Sequence, residues 1–286
     1  MKNVKAGHYW PVVCLDAGHY GKYNQSPVEK GYYESQAMWK LHLYLKQELN
    51  KLGIAVFTTR ADQGKDMGLK ARGKASADAD LLVSLHSNAA DSQSVDYVAA
   101  FYQYPDSGTQ VDDQSLELAK LLAAAVAQLM GVKQGGKAMT KKGSGDWNGD
   151  GVMNDNYYSV LNGARLVDTP AVILEHSFHT NPAAVRWLME DENLRKLAKL
   201  EAEVIAGYFG LEQSFALEFP VLKKGMKGEA VRALQALLVG YGYTLAVDGS
   251  FGSKTRNAVE CYQEDNDLPV DGVVGLQTRQ KLEGLE

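Results

Sequence analysis

Three runs of the chain, VVCL (12–15), LLVSL (81–85) and AVIL (171–174), are almost unbrokenly apolar, and longer segments with helical spacing stand between them. A strand with one wet face alternates apolar and polar residues. A continuously apolar strand is covered on both faces, as happens when helices cross over between parallel strands. Up to about Gly210 the order is VVCLD, ESQAMWKLHLYLKQELNKLG, IAVFTT, DLLVSLH, VDYVAAFYQY, SLELAKLLAAAVAQLMG, AVILEHS and AAVRWLMEDENLRKLAKLEAEVIAGYF. This alternation predicts an α/β domain with a mainly parallel central sheet flanked by helices.

The pattern stops in LEQSFALEFP (211–220), which reads as a linker ending at Pro220. Beyond it, DGSFGSKTRNAV from Asp248 and DGVVGLQTRQKL from Asp271 place Asp-Gly, Gly252/Gly275, Thr255/Thr278 and Arg256/Arg279 at the same offsets, an internal repeat. Each copy supplies a turn, a capping residue and a helical run, and VRALQALLVGYG adds an amphipathic helix before them. A small all-α three-helix domain is expected. A chain of 286 residues suits two domains, placed at 1–210 and 221–286 with the linker at 211–220.

Net charge excludes one class of function. With 30 Lys and Arg against 35 Asp and Glu, the chain lacks the basic excess that nucleic-acid binding draws on. No apolar run is long enough to span a bilayer. MKNVKAGHYWPVV has no continuous apolar core, so no signal peptide is expected. Cys14 and Cys261 are far apart, which argues against a disulfide framework.

His19, His86 and Glu175 each stand just past an apolar run, and reacting groups in open α/β sheets gather at the carboxyl ends of strands. Glu34 enters by spacing: positions 34, 38, 41, 45, 49 and 52 form one helical stripe, otherwise Met and Leu, that faces the core. Alone, Glu34 is accounted for by the helix dipole, and either histidine by a structural hydrogen bond. Together, two imidazoles and a carboxylate, with a fourth position left to water, make the donor set of catalytic zinc.

DAGHYG, the Glu of GYYESQ, SLHSN and LEHSFHTNP resemble, in order and spacing, the four signature segments of the zinc-dependent N-acetylmuramoyl-L-alanine amidases of the amidase-3 group, over residues 10–210. The resemblance implies zinc held by His19, Glu34 and His86, with Glu175 as catalytic carboxylate. It implies cleavage of the amide between N-acetylmuramic acid and the L-alanine of the stem peptide by a zinc-activated water. The chain departs from the family after Glu175, where His176, Ser177, Phe178, His179, Thr180 and Asn181 replace the usual Gly-Phe and Ser-Asn. His176 and His179 read as packing or surface variants in preference to cleft-lining or proton-carrying groups. His8 reads as a surface residue, and His42 as flanking the core stripe.

A second departure is the segment 131–156, where Asp146, Asn148, Asp150 and Gly151 match the first half of a calcium loop and Asn154 its ninth position. Tyr157 stands where the bidentate carboxylate belongs. A plain polar loop is the preferred reading, with calcium at Asp146, Asn148 and Asp150 the alternative. GMKGEAVRALQ (225–235) and the two Asp-Gly copies resemble the peptidoglycan-binding-1 type of wall-anchoring module. That implies peptidoglycan as partner and action on the bacterial cell wall, on its extracellular or periplasmic side. With no evident leader, a holin-released endolysin or a chain trimmed of its leader is expected. The rival functions are a zinc peptidase acting on stem peptides and a non-catalytic wall-binding protein.

Overall fold

The computed structural model describes residues 11–104, 110–146, 151, 155–211 and 221–283. Among these, six strands, β1 (Val12–Ala17), β2 (Ala55–Thr58), β3 (Leu81–Asn88), β4 (Val98–Tyr102), β5 (Gly136–Met139) and β6 (Ala171–Phe178), form one sheet in the order β2-β1-β3-β6-β4-β5. β1 pairs parallel with β2 and β3, and β3 with β6; β4 runs antiparallel to β6, and β5 parallel to β4. The sheet is mainly parallel, as the apolar runs predict. The helices are α1 (Glu34–Lys51), α2 (Leu69–Lys74), α3 (Gln110–Met130), α4 (Ser159–Arg165), α5 (Pro182–Met189), α6 (Asp191–Tyr208), α7 (Glu229–Gly240), α8 (Ser253–Asp265) and α9 (Leu276–Glu283).

Both faces of the sheet are covered. On one, Val13, Leu15, Val83, Leu85, Val172 and Leu174 pack with Met38, Leu41 and Leu45 of α1, Leu118 and Leu122 of α3, and Leu197 of α6. On the other, Val12, Cys14, Phe57, Leu82 and Ile173 share a core with Leu161 of α4 and with Leu234 and Leu237 of α7. The C-terminal helices are therefore not a separate body hung on a tether. α7 completes the second face over the β1–β2 edge, Arg232 Nη2 reaches Asp80 Oδ2 at 3.0 Å, and a Cβ on Gly240 would fall 2.3 Å from Phe57 Cβ.

The 183–209 segment, one helix by its spacing, is two. Glu190 is extended (ψ 116°), and Asn193 Nδ2 donates to the Trp187 carbonyl at 3.0 Å. The break falls in the polar run EDEN (190–193), where the apolar period lapses. β5, α2 and α4, of four, six and seven residues, are too short for periodicity to reveal.

The C-terminal repeat has a structural cause. Gln235 Nε2 donates to Asp248 Oδ1 (2.9 Å), the Ser250 carbonyl (3.0 Å) and Thr255 Oγ1 (2.9 Å), while its Oε1 accepts from Gly249 N at 2.7 Å. Gln263 does the same with Asp271 (2.8 Å), the Val273 carbonyl (3.0 Å), Thr278 (3.1 Å) and Gly272 N (2.9 Å). Each buried glutamine locks one Asp-Gly turn to the helix that follows it. The latches escape the repeat because the glutamines stand 13 and 8 residues before their aspartates. Among the described residues no helix is long and apolar enough to cross a membrane.

Candidate metal centre

The site is built at the carboxyl ends of β1 and β3. Gly18 follows β1 and donates its amide to the Leu85 carbonyl at 2.9 Å, and a Cβ on it would meet His86 Nδ1 at 2.6 Å. Only glycine lets the imidazole of His86 lie against the β1 turn. His19 then takes φ +57°, a left-handed conformation uncommon for a non-glycine residue. Arg72, buried on α2, holds that turn through Nη1 to the Ala17 carbonyl (3.2 Å) and Nη2 to the His19 carbonyl (3.3 Å). Below it the buried Asp16 accepts hydrogen bonds from Thr59 Oγ1 (2.6 Å) and Ser84 Oγ (2.7 Å).

Glu34 arrives from the other side of the sheet, as the first residue of α1. Its Oε1 lies 2.8 Å from His86 Nδ1 and accepts from Ser87 N at 3.1 Å. Its Oε2 lies 3.3 Å from His19 Nε2 and accepts from Asn24 Nδ2 at 2.7 Å. Asn24 Nδ2 also stands 3.0 Å from His19 Nε2, so one amide braces two members of the cluster. One donor atom from each of His19, Glu34 and His86 lies within 4.8 Å of the others. Glu34 is enclosed, while the histidine side chains keep 29% and 16% of their exposure, which leaves an open side. Two imidazoles and one carboxylate converging on a half-open point fit a zinc site with room for water.

Burial alone would raise the Glu34 carboxyl, but hydrogen bonds from His19 and His86 and their charges hold it below the usual carboxylate range. Burial opposes charge on His86, yet the bond and charge of Glu34 override it and push His86 up to about 9. Metal ligands bind deprotonated, so a cation entering this cluster displaces that proton.

Glu175 stands on β6 directly opposite His86 in the β3–β6 register. It is buried, and its Oε2 has no hydrogen-bond partner among the described residues. Burial pushes it up to about 7, with His86 opposing and Glu34 adding to the shift.

Sequence patterns did not single out Asn24 or Arg72. Asn24 sits in an irregular loop with φ +51°, and Arg72 on a six-residue helix, so no periodicity flags either. His176 and His179 are both buried, as a packing role requires. His179 Nδ1 lies 2.8 Å from the Ser87 carbonyl and 3.9 Å from Glu34 Oε2. His42 is likewise buried on α1. His8, the linker residues 212–220, and Asn148, Asp150 and Asn154 of the candidate calcium loop lie outside the described residues. Asp146 Oδ2 accepts the Gly151 amide at 3.0 Å, and nothing among the described residues supports calcium there.

A family model described as N-acetylmuramoyl-L-alanine amidase matches residues 13–207. One described as a peptidoglycan binding domain matches residues 227–282. The chain is 43% identical over 68 residues to the zinc D-Ala-D-Ala carboxypeptidase of Streptomyces albus G, covering 23% of this chain and 27% of that protein. It is 38% identical over 65 residues to the N-acetylmuramoyl-L-alanine amidase CwlL of Bacillus licheniformis, covering 22% and 18%. The chain thus spans about a quarter of the length of the curated relatives it matches. In fold it is similar to the crystal structure of an N-acetylmuramoyl-L-alanine amidase from Clostridium difficile 630, with a TM-score of 0.57 and 22% identity over 71% of this chain and 98% of that one.

Proposed function

The chain belongs to the N-acetylmuramoyl-L-alanine amidase family, and from that membership we propose that it cuts peptidoglycan at the amide between N-acetylmuramic acid and the L-alanine of the stem peptide. His19, Glu34 and His86 hold zinc, and Glu175 carries the proton. The observation that supports this most is the convergence of three donor atoms within 4.8 Å, with Glu175 in register beside His86.

His19, Glu34 and His86 would hold zinc there, and the metal would supply Lewis-acid polarisation of the scissile carbonyl and a water made acidic enough to give up its proton near neutral pH. An amide needs help twice, because water is a weak nucleophile and an amine a poor leaving group. Glu175 supplies the protein's share of both: Oε2 takes the proton of the attacking water and delivers it to the departing alanine nitrogen. A carboxyl poised near neutrality suits a group that must both accept and donate. Asn24 and Arg72 keep His19 and Glu34 in place while this happens. A glycosidase would need two carboxylates flanking a sugar bond, and would leave the histidines without a task.

The catalytic unit is assigned to residues 1–210, the linker to 211–220 and a wall-binding unit to 221–286. The site of action is the bacterial cell wall. Digestion of purified peptidoglycan by the zinc-loaded protein, followed by mass spectrometry, tests the proposal. The expected products are a free L-alanine amino group and muramic acid without its peptide. New termini within the stem peptide would make the protein a peptidase. Wall that co-sediments with the protein and stays uncut would make it a binding protein only.

A further inference from the structure

The chemistry above leaves one buried ionisable pair without a task. His176 and Glu201 are fully enclosed, and Nε2 of the one meets Oε1 of the other at 2.8 Å. The second ring nitrogen, Nδ1, lies 2.9 Å from the backbone carbonyl of His86. A carbonyl only accepts, so Nδ1 carries a hydrogen and donates it. The Nε2–Oε1 bond then holds one further proton, and the pair is neutral as a whole whichever partner carries it. Glu201 Oε2 is buried with no hydrogen-bond partner among the described residues.

Stability does not explain such a pair. Well-packed apolar side chains of similar volume do as well or better in a core, and an orphaned carboxylate oxygen adds a penalty. Its location offers an explanation. Between His86 and Asn88 the β3–β6 register shifts: two steps along β3 face the three steps from Glu175 to Phe178 on β6. Ser177, inside this bulge, has φ +57°. Bulges re-aim side chains next to active sites. His176 is the bulge residue whose side chain turns to the α6 face and bonds back across the ladder to His86 itself.

We infer that His176 and Glu201 are positioning residues: α6, through Glu201, clamps the His176 ring against the His86 carbonyl and so fixes where His86 stands relative to Glu175. The inference rests on the assignment of His86 as a metal ligand. The two residues touch neither substrate nor reacting atoms, and their effect passes through the backbone of β3.

The decisive variant is the double substitution His176→Leu with Glu201→Leu, which fills the core and removes the clamp. Its melting temperature stays at or above the wild-type value, while zinc affinity, measured by chelator competition, weakens about tenfold or more, the usual effect of losing an outer-shell partner. On wall substrate kcat falls and KM holds. A second pair of variants serves if the double variant does not fold. An Asn amide takes about the place of Nδ1, and a Gln amide that of Nε2. His176→Asn should therefore keep zinc affinity within about threefold, and His176→Gln should lose it as the double variant does. Wild-type zinc affinity and kcat in the folded double variant, or equal affinities for the Asn and Gln variants, would overturn the inference. Wild-type protein that bound no zinc would instead overturn the metal assignment beneath it.

Discussion

Glu34 is where the site is most finely balanced, because one buried carboxylate accepts from Ser87 N and Asn24 Nδ2 and faces two imidazoles. The proposed division of labour between ligands and proton carrier can be tested by substitution. His19→Ala should lower zinc content and turnover together. Glu175→Gln should keep zinc, measured by metal analysis, and lose roughly 10²–10⁴-fold in kcat, the range typical for one general acid–base group. Near-normal turnover in the Glu175 variant would remove it from the role. Gly18→Ala tests packing at the same scale: its methyl would sit 2.6 Å from the His86 ring and from the Leu85 carbonyl. The ring and the turn must part, so weakened zinc binding is expected in a protein whose circular dichroism is unchanged.

At the scale of elements, α1 serves two ends. Its first residue enters the candidate metal centre, and two turns further on His42 is buried against Trp39, whose carbonyl faces Nδ1. Burial lowers His42 from 6.5 to about 4; the Trp39 carbonyl opposes this, Lys46 and Arg60 add to it, and Asp16 works weakly against it. The unfolded chain thus takes up this proton near pH 6.5, and the folded chain only near 4. Within that window the unfolded state binds more protons, so stability falls as pH falls. The shift corresponds to about 3 kcal/mol. Urea unfolding of wild type and His42→Leu from pH 7 to 4 should show the variant's curve losing that much less; parallel curves would acquit the histidine. β6 is the other decisive element: strand alternation sends Glu175 towards the site and His176 towards α6, and the register shift comes just after them, before Phe178.

For the molecule as a whole, the second face of the sheet is closed by a helix from the far end of the chain, so the two domains share a core. Gly240→Val would press a side chain into Phe57, and overpacking of this kind costs about 1–3 kcal/mol. Calorimetry should show one cooperative transition in the wild type and two separated ones in the variant. A single transition at an unchanged temperature would mean that the contact carries no weight. The sequence alone determined the α/β class, the three covered strands and the small helical domain, and it singled out His19, Glu34, His86 and Glu175 as candidates, because each is written in a local pattern: an apolar run, a helical stripe, a motif at a strand end. Tertiary structure decided the rest: Asn24 and Arg72 as braces, the glutamine latches, the His176–Glu201 clamp and the docking of α7 on β2. A local pattern records which way a residue faces. It holds no record of which distant backbone or side chain will come to meet it there, and each of those features is a contact made between segments that only folding brings together.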